Sequence, residues 1–304
     1  MNSSSVPAVI CVDIGGTSTK AGIVDSLGQL HGTNAIPTGP PADSFFEALS
    51  TLIAQTESAG RATQGIGVAV AGFLSSQRDR LVYNPNIAWL EQFPLLERLR
   101  SRFQMPVELE SDSNSACMAE HRFGVGQKSR RFLCVTAGTG LGVGMAVDGE
   151  PLRFAYGCLG DIGHVIVEPN GPVCYCGGRG CAEILVSAPA LAQRFAQKAG
   201  SASKVSLRDV IEAANAGNPT ALSILKEAGE HLGIAIASMA NTLFPDHIAV
   251  AGGLSAAGDS VLKVAEQVFR DSAGILARDN VTFSRAHLGP SAPLIGAAWP
   301  FWKN

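Results

Sequence analysis

Short apolar runs and longer stretches with helical spacing alternate along this chain. Short apolar runs occur at 9–12, 132–135 and 247–250, the first of them rich in β-branched residues, and such runs are typical of buried strands. Apolar residues recur at the spacing of one helix face in the segments Ser44–Glu57, Pro94–Phe103, Asn114–Phe123, Ala188–Ala199, Leu207–Ala216, Pro219–Asn241 and Gly258–Ala277. Strands precede helices twice over, so the pattern predicts an α/β protein with two similar lobes and a ligand in the cleft between them.

The first strand leads directly into a glycine-rich turn. Val9–Val12 is followed by the residues Asp13–Lys20, and a second apolar run, Ala21–Val24, comes next. This order predicts a hairpin and not the βαβ start of a dinucleotide fold. At Gly15, Gly16 and Thr17, backbone N–H groups and a hydroxyl can approach phosphate oxygens that a bulkier turn would block.

Two further glycine turns follow strands later in the chain. Gly138, Thr139 and Gly140 come after the run at 132–135, at the place equivalent to the first turn. Two such turns at equivalent places indicate an internal duplication, whereas one glycine turn alone is weak evidence. The third turn, Gly252-Gly253, can let a flat adenine or ribose lie against backbone.

Composition and charge limit the possible partners. The chain is 46% hydrophobic and 16% charged, which is enough apolar surface for one large core or two moderate ones. A net charge of −3 without a block of Lys or Arg argues against nucleic acid and against an anionic membrane surface. The chain opens Met-Asn-Ser-Ser-Ser without an apolar leader, so we expect a cytoplasmic protein without a membrane span.

One loop gathers soft metal ligands. His164 precedes Cys174, Cys176 and Cys181, and this Cys3His set suits tetrahedral zinc with all four positions filled by protein. A closed site of this kind is structural. A disulfide and a metal-free turn are the alternatives; seven cysteines and the absence of a leader disfavour the disulfide. The other four are expected to be small buried residues: Cys11, Cys117, Cys134 and Cys158.

A polar segment lies where a strand end runs into a helix, near the expected hinge at Glu110–Ser113. Asp112 or Ser113 can accept a backbone N–H there as the N-cap of the helix. A catalytic carboxylate is the alternative interpretation. From the residues alone, capping is at least as good an account as catalysis.

Seven ordered segments together resemble the motifs of the ROK family of sugar kinases. The cysteine segment is the most specific of them, and the set spans nearly the whole chain. The segments are Asp13–Thr17, Ser111–Asn114, Gly138–Gly140, Gly160–His164, Cys174–Glu183, Gly252-Gly253 and Leu294–Ala298.

The resemblance implies an ATP-dependent sugar kinase with an actin-like, ribonuclease-H-like two-lobe fold and an inter-lobe cleft. Asp112 matches the family's general base, and Mg²⁺ would accompany ATP. The hexose would be held by Asn86, Ser111, Asp112, Asp161, His164 and Glu183. The residues expected to bind ATP are Asp13, Gly15, Gly16, Thr17, Lys20, Gly138, Thr139, Gly140, Gly252 and Gly253.

Departures from the family pattern concern the sugar more than the nucleotide. Asp161 stands where the family usually has Glu, and Ser111 stands where it usually has Asn; Ser18 replaces a common Lys, although Lys20 can reach a phosphate. The segment Asn84–Trp89 resembles the glucokinase branch, so a glucokinase is expected first. The alternatives are an N-acetylmannosamine or N-acetylglucosamine kinase, a fructokinase, and a sugar-binding sensor that is not an enzyme.

The domain organisation follows from the same resemblance. Residues 1–112 are expected to form a small lobe, completed by a C-terminal helix at 290–304, and residues 113–289 a large lobe with the zinc loop. Sugar-responsive repressors of the family carry a helix-turn-helix before the first strand, and the eight residues here leave no room for one. Family members are commonly dimers or tetramers, so a homodimer or homotetramer is expected.

Overall fold

The computed structural model describes residues 6–57, 62–200 and 204–302. Residues 1–5, on which the expectation about a leader depends, lie outside them. The β-strands are β1 (Ala8–Ile14), β2 (Ser18–Asp25), β3 (Leu30–Pro37), β4 (Thr63–Val70), β5 (Phe73–Leu74), β6 (Leu81–Tyr83), β7 (Val107–Ser111), β8 (Arg131–Ala137), β9 (Leu141–Val147), β10 (Glu150–Pro151), β11 (His247–Ala251) and β12 (Thr282–Arg285). The α-helices are α1 (Ala42–Glu57), α2 (Leu95–Phe103), α3 (Asp112–Phe123), α4 (Glu183–Val186), α5 (Ala188–Ala199), α6 (Leu207–Asn215), α7 (Pro219–Leu243), α8 (Asp259–Ser272), α9 (Ile275–Arg278) and α10 (Ala292–Gly296).

The chain divides into two compact units. Of the residues that the structure describes, those within 1–127, 144–160 and 291–304 form the first unit, and those within 128–143 and 161–290 form the second. The C-terminal segment therefore belongs to the same unit as the N-terminal strands. The lobe boundary that the sequence suggests at residue 112 stays a prediction.

The first sheet has the strand order β3-β2-β1-β4-β7. β1 pairs antiparallel with β2, with Asp13 opposite Lys20, so the predicted opening hairpin is confirmed. β4 pairs in parallel with both β1 and β7. The β-branched residues of β1 are buried, and Phe45, Leu49 and Ile53 of α1 belong to the same hydrophobic core.

The second sheet repeats this arrangement with the order β10-β9-β8-β11-β12. β8 takes the place of β1, and β11 pairs in parallel with β8 and with β12. Each of the strands β1 and β8 leads into one of the predicted glycine turns, at Gly15–Thr17 and at Gly138–Gly140. The two turns thus lie at equivalent positions in the two sheets, as an internal duplication requires.

Helices α7 and α8 form the main helical contact of the second unit. A Cβ atom at Gly233 would lie 2.7 Å from the Ala265 carbonyl oxygen, so the glycine lets the two helices approach closely. Gly233 therefore lies in the core of the second unit, at the contact between α7 and α8. Among the helices of the described residues, none has the length and apolar character needed to cross a membrane.

One predicted helix is shorter than its sequence pattern. Apolar spacing predicts a helix over Gly258–Ala277, but α8 ends at Ser272 because Ala273 adopts an extended conformation. The N–H of Gly274 donates to Asn241 Oδ1 at 2.8 Å, and the separate short helix α9 follows. The break depends on a contact with α7 that lies far away in sequence.

Candidate functional site

The first glycine turn exposes its backbone and lies beside Asn86. The N–H of Gly15 donates to the Ser18 carbonyl at 3.2 Å, and Gly16 and Thr17 are exposed. A Cβ at Gly16 would lie 3.2 Å from Asn86 Cβ. The N–H of Asn86 donates to Asn84 Oδ1 at 2.8 Å, so the segment forms the side-chain-stabilised turn that its sequence favours. Two residues that the sequence placed in different roles, Gly16 and Asn86, are therefore neighbours.

Two half-buried carboxylates of the first unit, Asp13 and Asp112, have raised pKa values. Burial and the nearby Asp112 carboxylate raise the pKa of Asp13 to about 7, and Lys20 opposes this rise. Burial also raises the pKa of Asp112, while hydrogen bonds from Ser113 lower it. Carboxyl groups with raised pKa values can exchange protons near neutral pH.

Ser111, and not Asp112 or Ser113, is the N-cap of α3. Its Oγ accepts the N–H of Asn114 at 3.2 Å, which corrects the capping assignment made from the sequence. Asp112 is the first helical residue, and its Oδ1 accepts the N–H of Ser113 at 2.7 Å. Because Ser111 satisfies the helix end, the second carboxylate oxygen of Asp112 is not needed for capping.

Glu110 is a buried carboxylate that the sequence did not single out as a functional residue. Only 2% of it is exposed, and Oε2 accepts from Arg78 Nη1 at 3.1 Å and from Arg153 Nε at 3.0 Å. Oε1 accepts from the Ser111 N–H and from Asn114 Nδ2 at 3.0 and 2.9 Å. The cluster fixes the backbone immediately before Asp112.

The second glycine turn holds Glu183 in the second unit. The N–H of Leu141 donates to Glu183 Oε2 at 2.8 Å. A Cβ at Gly140 would lie 2.6 Å from the same oxygen, so only glycine leaves room for this carboxylate. The N–H of Gly138 donates to the Gly140 carbonyl at 2.9 Å, and Thr139 at the tip is exposed. The turn therefore binds a carboxylate of its own unit.

His164 presents its two ring nitrogens to different partners. Nδ1 lies 3.6 Å from Cys174 Sγ, and Nε2 lies 3.7 Å from Asp161 Oδ2. Burial raises the pKa of Asp161; His164 lowers it and Glu183 raises it. The structure thus brings together Asp161, His164 and Glu183, three residues that the sequence assigned to one site.

The ligand atoms of the cysteine loop have the spacing of a tetrahedral metal site. Those of His164, Cys174, Cys176 and Cys181 all lie within 4.8 Å of one another, and Cys176 Sγ is 3.7 Å from Cys181 Sγ. Ideal zinc–ligand bond lengths give edges of about 3.8 Å between two sulfurs and about 3.6 Å between sulfur and nitrogen. All seven cysteines are free thiols. The donor set and its spacing fit zinc, and no disulfide forms.

Tyr175, between two of these cysteines, is a second residue that the sequence did not single out. Its hydroxyl donates to Glu183 Oε1, and its ring packs edge-on against His164 with 5.1 Å between ring centroids. A tyrosine in a loop gives no sequence signal for either contact, because both depend on where the loop places the ring.

The third glycine turn borders a cavity within the second unit. Gly252 has a φ of +85°, and a Cβ there would lie 2.3 Å from the Ala137 carbonyl oxygen, so both conformation and space require glycine. The cavity has a volume of about 300 Å³, and its lining includes Gly252, Ser255, Arg285 and His287. Its size and mixed polar lining suit part of a small ligand.

Comparison with solved structures defines the class of fold. The chain is similar to a ROK family glucokinase from Streptomyces griseus, solved in complex with glucose and AMPPNP. The TM-score is 0.86 at 33% identity, covering 96% of this chain and 98% of that chain. The fold is the actin-like, two-lobe α/β fold of sugar kinases, as the sequence predicted.

Sequence comparison identifies the family. A glucokinase of Streptomyces coelicolor is 32% identical over 305 residues, which cover 95% of this chain and 96% of the relative. An N-acetylmannosamine kinase of Citrobacter koseri is 29% identical over 294 residues, covering 96% and 97%. Residues 9–303 match the model of the ROK family. The chain belongs to the ROK family.

Proposed function

We propose that this protein is a glucokinase-type sugar kinase that transfers the γ-phosphate of ATP to a hexose hydroxyl. The observation that carries the proposal is Asp112, a half-buried carboxylate with a raised pKa at the start of α3. Relatives named as glucokinases, similar over nearly the whole chain, support this substrate class.

Asp112 acts as the general base. Its carboxylate takes the proton of the attacking hydroxyl while that oxygen bonds to the γ-phosphorus and the bond to the departing ADP breaks. A base with a raised pKa accepts this proton more readily than an ordinary aspartate. Glu110 holds the backbone immediately before Asp112, so it positions the base without contacting the reacting atoms.

The remaining sugar-binding roles follow the assignments made from sequence. Glu183 and Asp161 offer carboxylate oxygens, and His164 offers Nε2, to hydroxyl groups of the hexose. A sugar that lacks one of these hydroxyls would leave a polar group unpaired, which costs affinity. In the first unit, Asn86 and Ser111 are the further sugar ligands.

The glycine turns and nearby charges bind the nucleotide. In the first unit the residues are Asp13, Gly15, Gly16, Thr17 and Lys20. The glycine N–H groups, the Thr17 hydroxyl and the Lys20 ammonium suit phosphate oxygens. The Asp13 carboxylate suits Mg²⁺. In the second unit they are Gly138, Thr139, Gly140, Gly252 and Gly253. The cavity beside Gly252 is a suitable place for the base and ribose of ATP. Bound Mg²⁺ would neutralise phosphate charge.

Zinc is the proposed structural ion of the cysteine loop. His164 Nδ1 and the three thiolates would complete its coordination, so no position would remain for a reactive water. The metal would fix the orientation of the His164 ring and leave Nε2 directed toward Asp161 and the sugar.

N-acetylmannosamine is the second candidate substrate, with N-acetylglucosamine and fructose after it. Asp161 is one methylene shorter than the glutamate usual in the family, and its side chain is 42% exposed. A shorter carboxylate leaves room for a larger substituent on the sugar. The N-acetylmannosamine kinase of Citrobacter koseri, similar over 96% of this chain, agrees with this alternative.

The assembly and location of the protein are also proposals. The proposed assembly is a homodimer or homotetramer in the cytoplasm. The absence of nucleic-acid and membrane partners is proposed from the net charge of −3 and from the lack of a block of basic residues in the sequence. Light scattering of the purified protein would measure the number of subunits.

A coupled ADP-release assay with Mg-ATP tests the function. The panel comprises glucose, fructose, mannose, N-acetylglucosamine and N-acetylmannosamine. We expect glucose to give the highest kcat/KM, and Asp112→Asn to lower kcat by about 10²–10⁴-fold while sugar affinity measured by calorimetry changes little. Asp43→Asn is the matched control, because the Asp43 side chain is 81% exposed on α1.

Comparison of the wild type with Asp112→Asn separates the possible outcomes. Unchanged turnover in Asp112→Asn would remove Asp112 from the role of base. Sugar binding without ADP release from any of the five sugars would favour the sensor alternative. A higher kcat/KM for an N-acetylhexosamine than for glucose would establish the second candidate.

A further inference from the structure

Tyr175 links the cysteine loop to a carboxylate of the proposed sugar site. Its hydroxyl donates to Glu183 Oε1, and its ring packs at 73° against the ring of His164. Tyr175 is 57% exposed, so burial of the ring contributes only part of what a core tyrosine would. The directional contact of its hydroxyl is therefore its main interaction.

The carboxylate of Glu183 is held by a donor on each oxygen. The Leu141 N–H donates to Oε2 at 2.8 Å, and the Tyr175 hydroxyl donates to Oε1. Two donors on different oxygens fix the plane of the carboxylate. Each carboxylate oxygen can accept about two hydrogen bonds, so both keep capacity for a hydroxyl of a ligand.

The position of the tyrosine ring is set by the loop around it. Cys174 and Cys176, its neighbours in the chain, both belong to the proposed zinc site. The N–H of Cys174 donates to the Gly178 carbonyl at 2.8 Å, and the N–H of Gly177 donates to the Cys174 carbonyl at 3.0 Å. A backbone tied in this way leaves the Tyr175 side chain few directions.

We propose that Tyr175 is a positioning residue for hexose binding, which holds the Glu183 carboxylate in the orientation that sugar hydroxyls require. The role deepens the proposed function and rests on it. The loop orders Tyr175, and Tyr175 in turn orders Glu183. Removal of the hydroxyl frees the carboxylate to rotate about its last bond and weakens binding of the sugar before it affects phosphate transfer.

A double-mutant cycle on thermal stability tests the contact without any substrate. The proteins are the wild type, Tyr175→Phe, Glu183→Ala and the double variant, all with their zinc content measured. We expect Tyr175→Phe to lower Tm by about 2 °C in the wild type and to have no effect when residue 183 is alanine. Additive effects would overturn the proposal, because they would show that the hydroxyl does not act on Glu183.

Steady-state kinetics test the consequence for the sugar. Tyr175→Phe should raise the KM for glucose about tenfold, with kcat and the KM for ATP within about twofold of wild type and zinc content unchanged. Tyr83→Phe, the same change at a tyrosine that is 46% exposed on β6 and packs on Phe73, should leave all four values unchanged. A glucose KM that Tyr175→Phe does not alter would overturn the proposal.

The two measurements separate this proposal from the proposed function. If the wild type phosphorylates none of the sugars, the function fails, and the stability cycle still decides whether Tyr175 holds Glu183. If the wild type is active and the cycle shows coupling, the KM ratio decides whether that contact serves the sugar.

Discussion

The two glycine turns stand at equivalent places in the two sheets but treat their carboxylates differently. Beside Gly15–Thr17, burial raises the pKa of both Asp13 and Asp112, and the Asp112 carboxylate raises the pKa of Asp13 further. Beside Gly138–Gly140, Glu183 receives a donor on each oxygen. A duplicated frame thus holds carboxylates in two different surroundings: two buried groups with raised pKa values beside one turn, and one group with a hydrogen-bond donor on each oxygen beside the other.

The largest effect expected for this comparison is the loss of zinc from the cysteine loop, which lies beside the Glu183 carboxylate of the second turn. Cys176→Ser removes one thiolate from the cysteine loop, and because Cys176 is exposed the change costs little packing. We expect zinc to fall from one ion per chain to almost none and the KM for glucose to rise at least about tenfold. Metal analysis and kinetics measure both.

Cys134→Ala, a buried cysteine of β8 outside the loop, is the control and should keep its zinc. If the two turns act separately, kcat should depend on pH in the same way in Cys176→Ser as in the wild type, because Asp112, the proposed general base, lies outside the cysteine loop. An unchanged zinc content and an unchanged KM would refute the structural-zinc assignment.

The next effect concerns the support beneath Asp112. Glu110→Gln leaves Arg78 and Arg153 without their buried counter-charge and should lower the free energy of unfolding by about 3 kcal/mol. Glu108→Gln changes a carboxylate whose side chain is 39% exposed and which lies 3.5 Å from Arg100 and 3.9 Å from Arg78, and it should cost less than about 1 kcal/mol. Urea unfolding followed by circular dichroism compares the two variants. Equal losses of unfolding free energy would show that the buried carboxylate of Glu110 stabilises the protein no more than an exposed one.

The last prediction is a pH dependence of stability that is specific to the first turn. The pKa of Asp13 is about 7 in the folded protein and 3.8 ordinarily, so between these values the folded state holds a proton that the unfolded chain has released. Stability from this group is therefore lost as pH rises from about 4 to about 7. Asp13→Asn removes that loss, so between pH 4 and pH 8 its free energy of unfolding should gain up to about 4 kcal/mol over that of the wild type, at about 1.4 kcal/mol per pKa unit.

Thermal unfolding at a series of pH values measures this difference. The exposed Asp43→Asn variant should follow the wild type at every pH. Parallel curves for wild type and Asp13→Asn would mean that Asp13 titrates as an ordinary carboxylate. The raised pKa would then no longer distinguish the first turn from the second.

Features that depend on neighbours in sequence were predictable. The hairpin of β1 and β2 follows from two apolar runs separated by a glycine turn, and the cysteine loop follows from soft ligands at close spacing. The family motifs extended this local information to the fold class, which the solved structures confirm. The roles of the individual site residues stay predictions.

Features that depend on distant contacts were not predictable. Glu110 looks like an ordinary charged residue until the fold brings Arg78 and Arg153, which are 32 and 43 positions away, against it. The helix predicted over Gly258–Ala277 keeps its apolar spacing past the point where Ala273 turns extended. Three polar residues in succession could each cap α3, and only the backbone shows that Ser111 does so.

The close approach of α10 to α3 has a consequence for synthesis of the chain. A Cβ at Gly296 would lie 1.7 Å from the Ser115 carbonyl oxygen, so the helix that begins with Asp112 is packed backbone to backbone against residues made much later. A ribosome must produce residues 161–290 of the second unit before α10 exists. During synthesis one face of α3 therefore stays uncovered until α10 has been made. The surroundings of the helix that begins with Asp112 are completed only after the second unit has been translated.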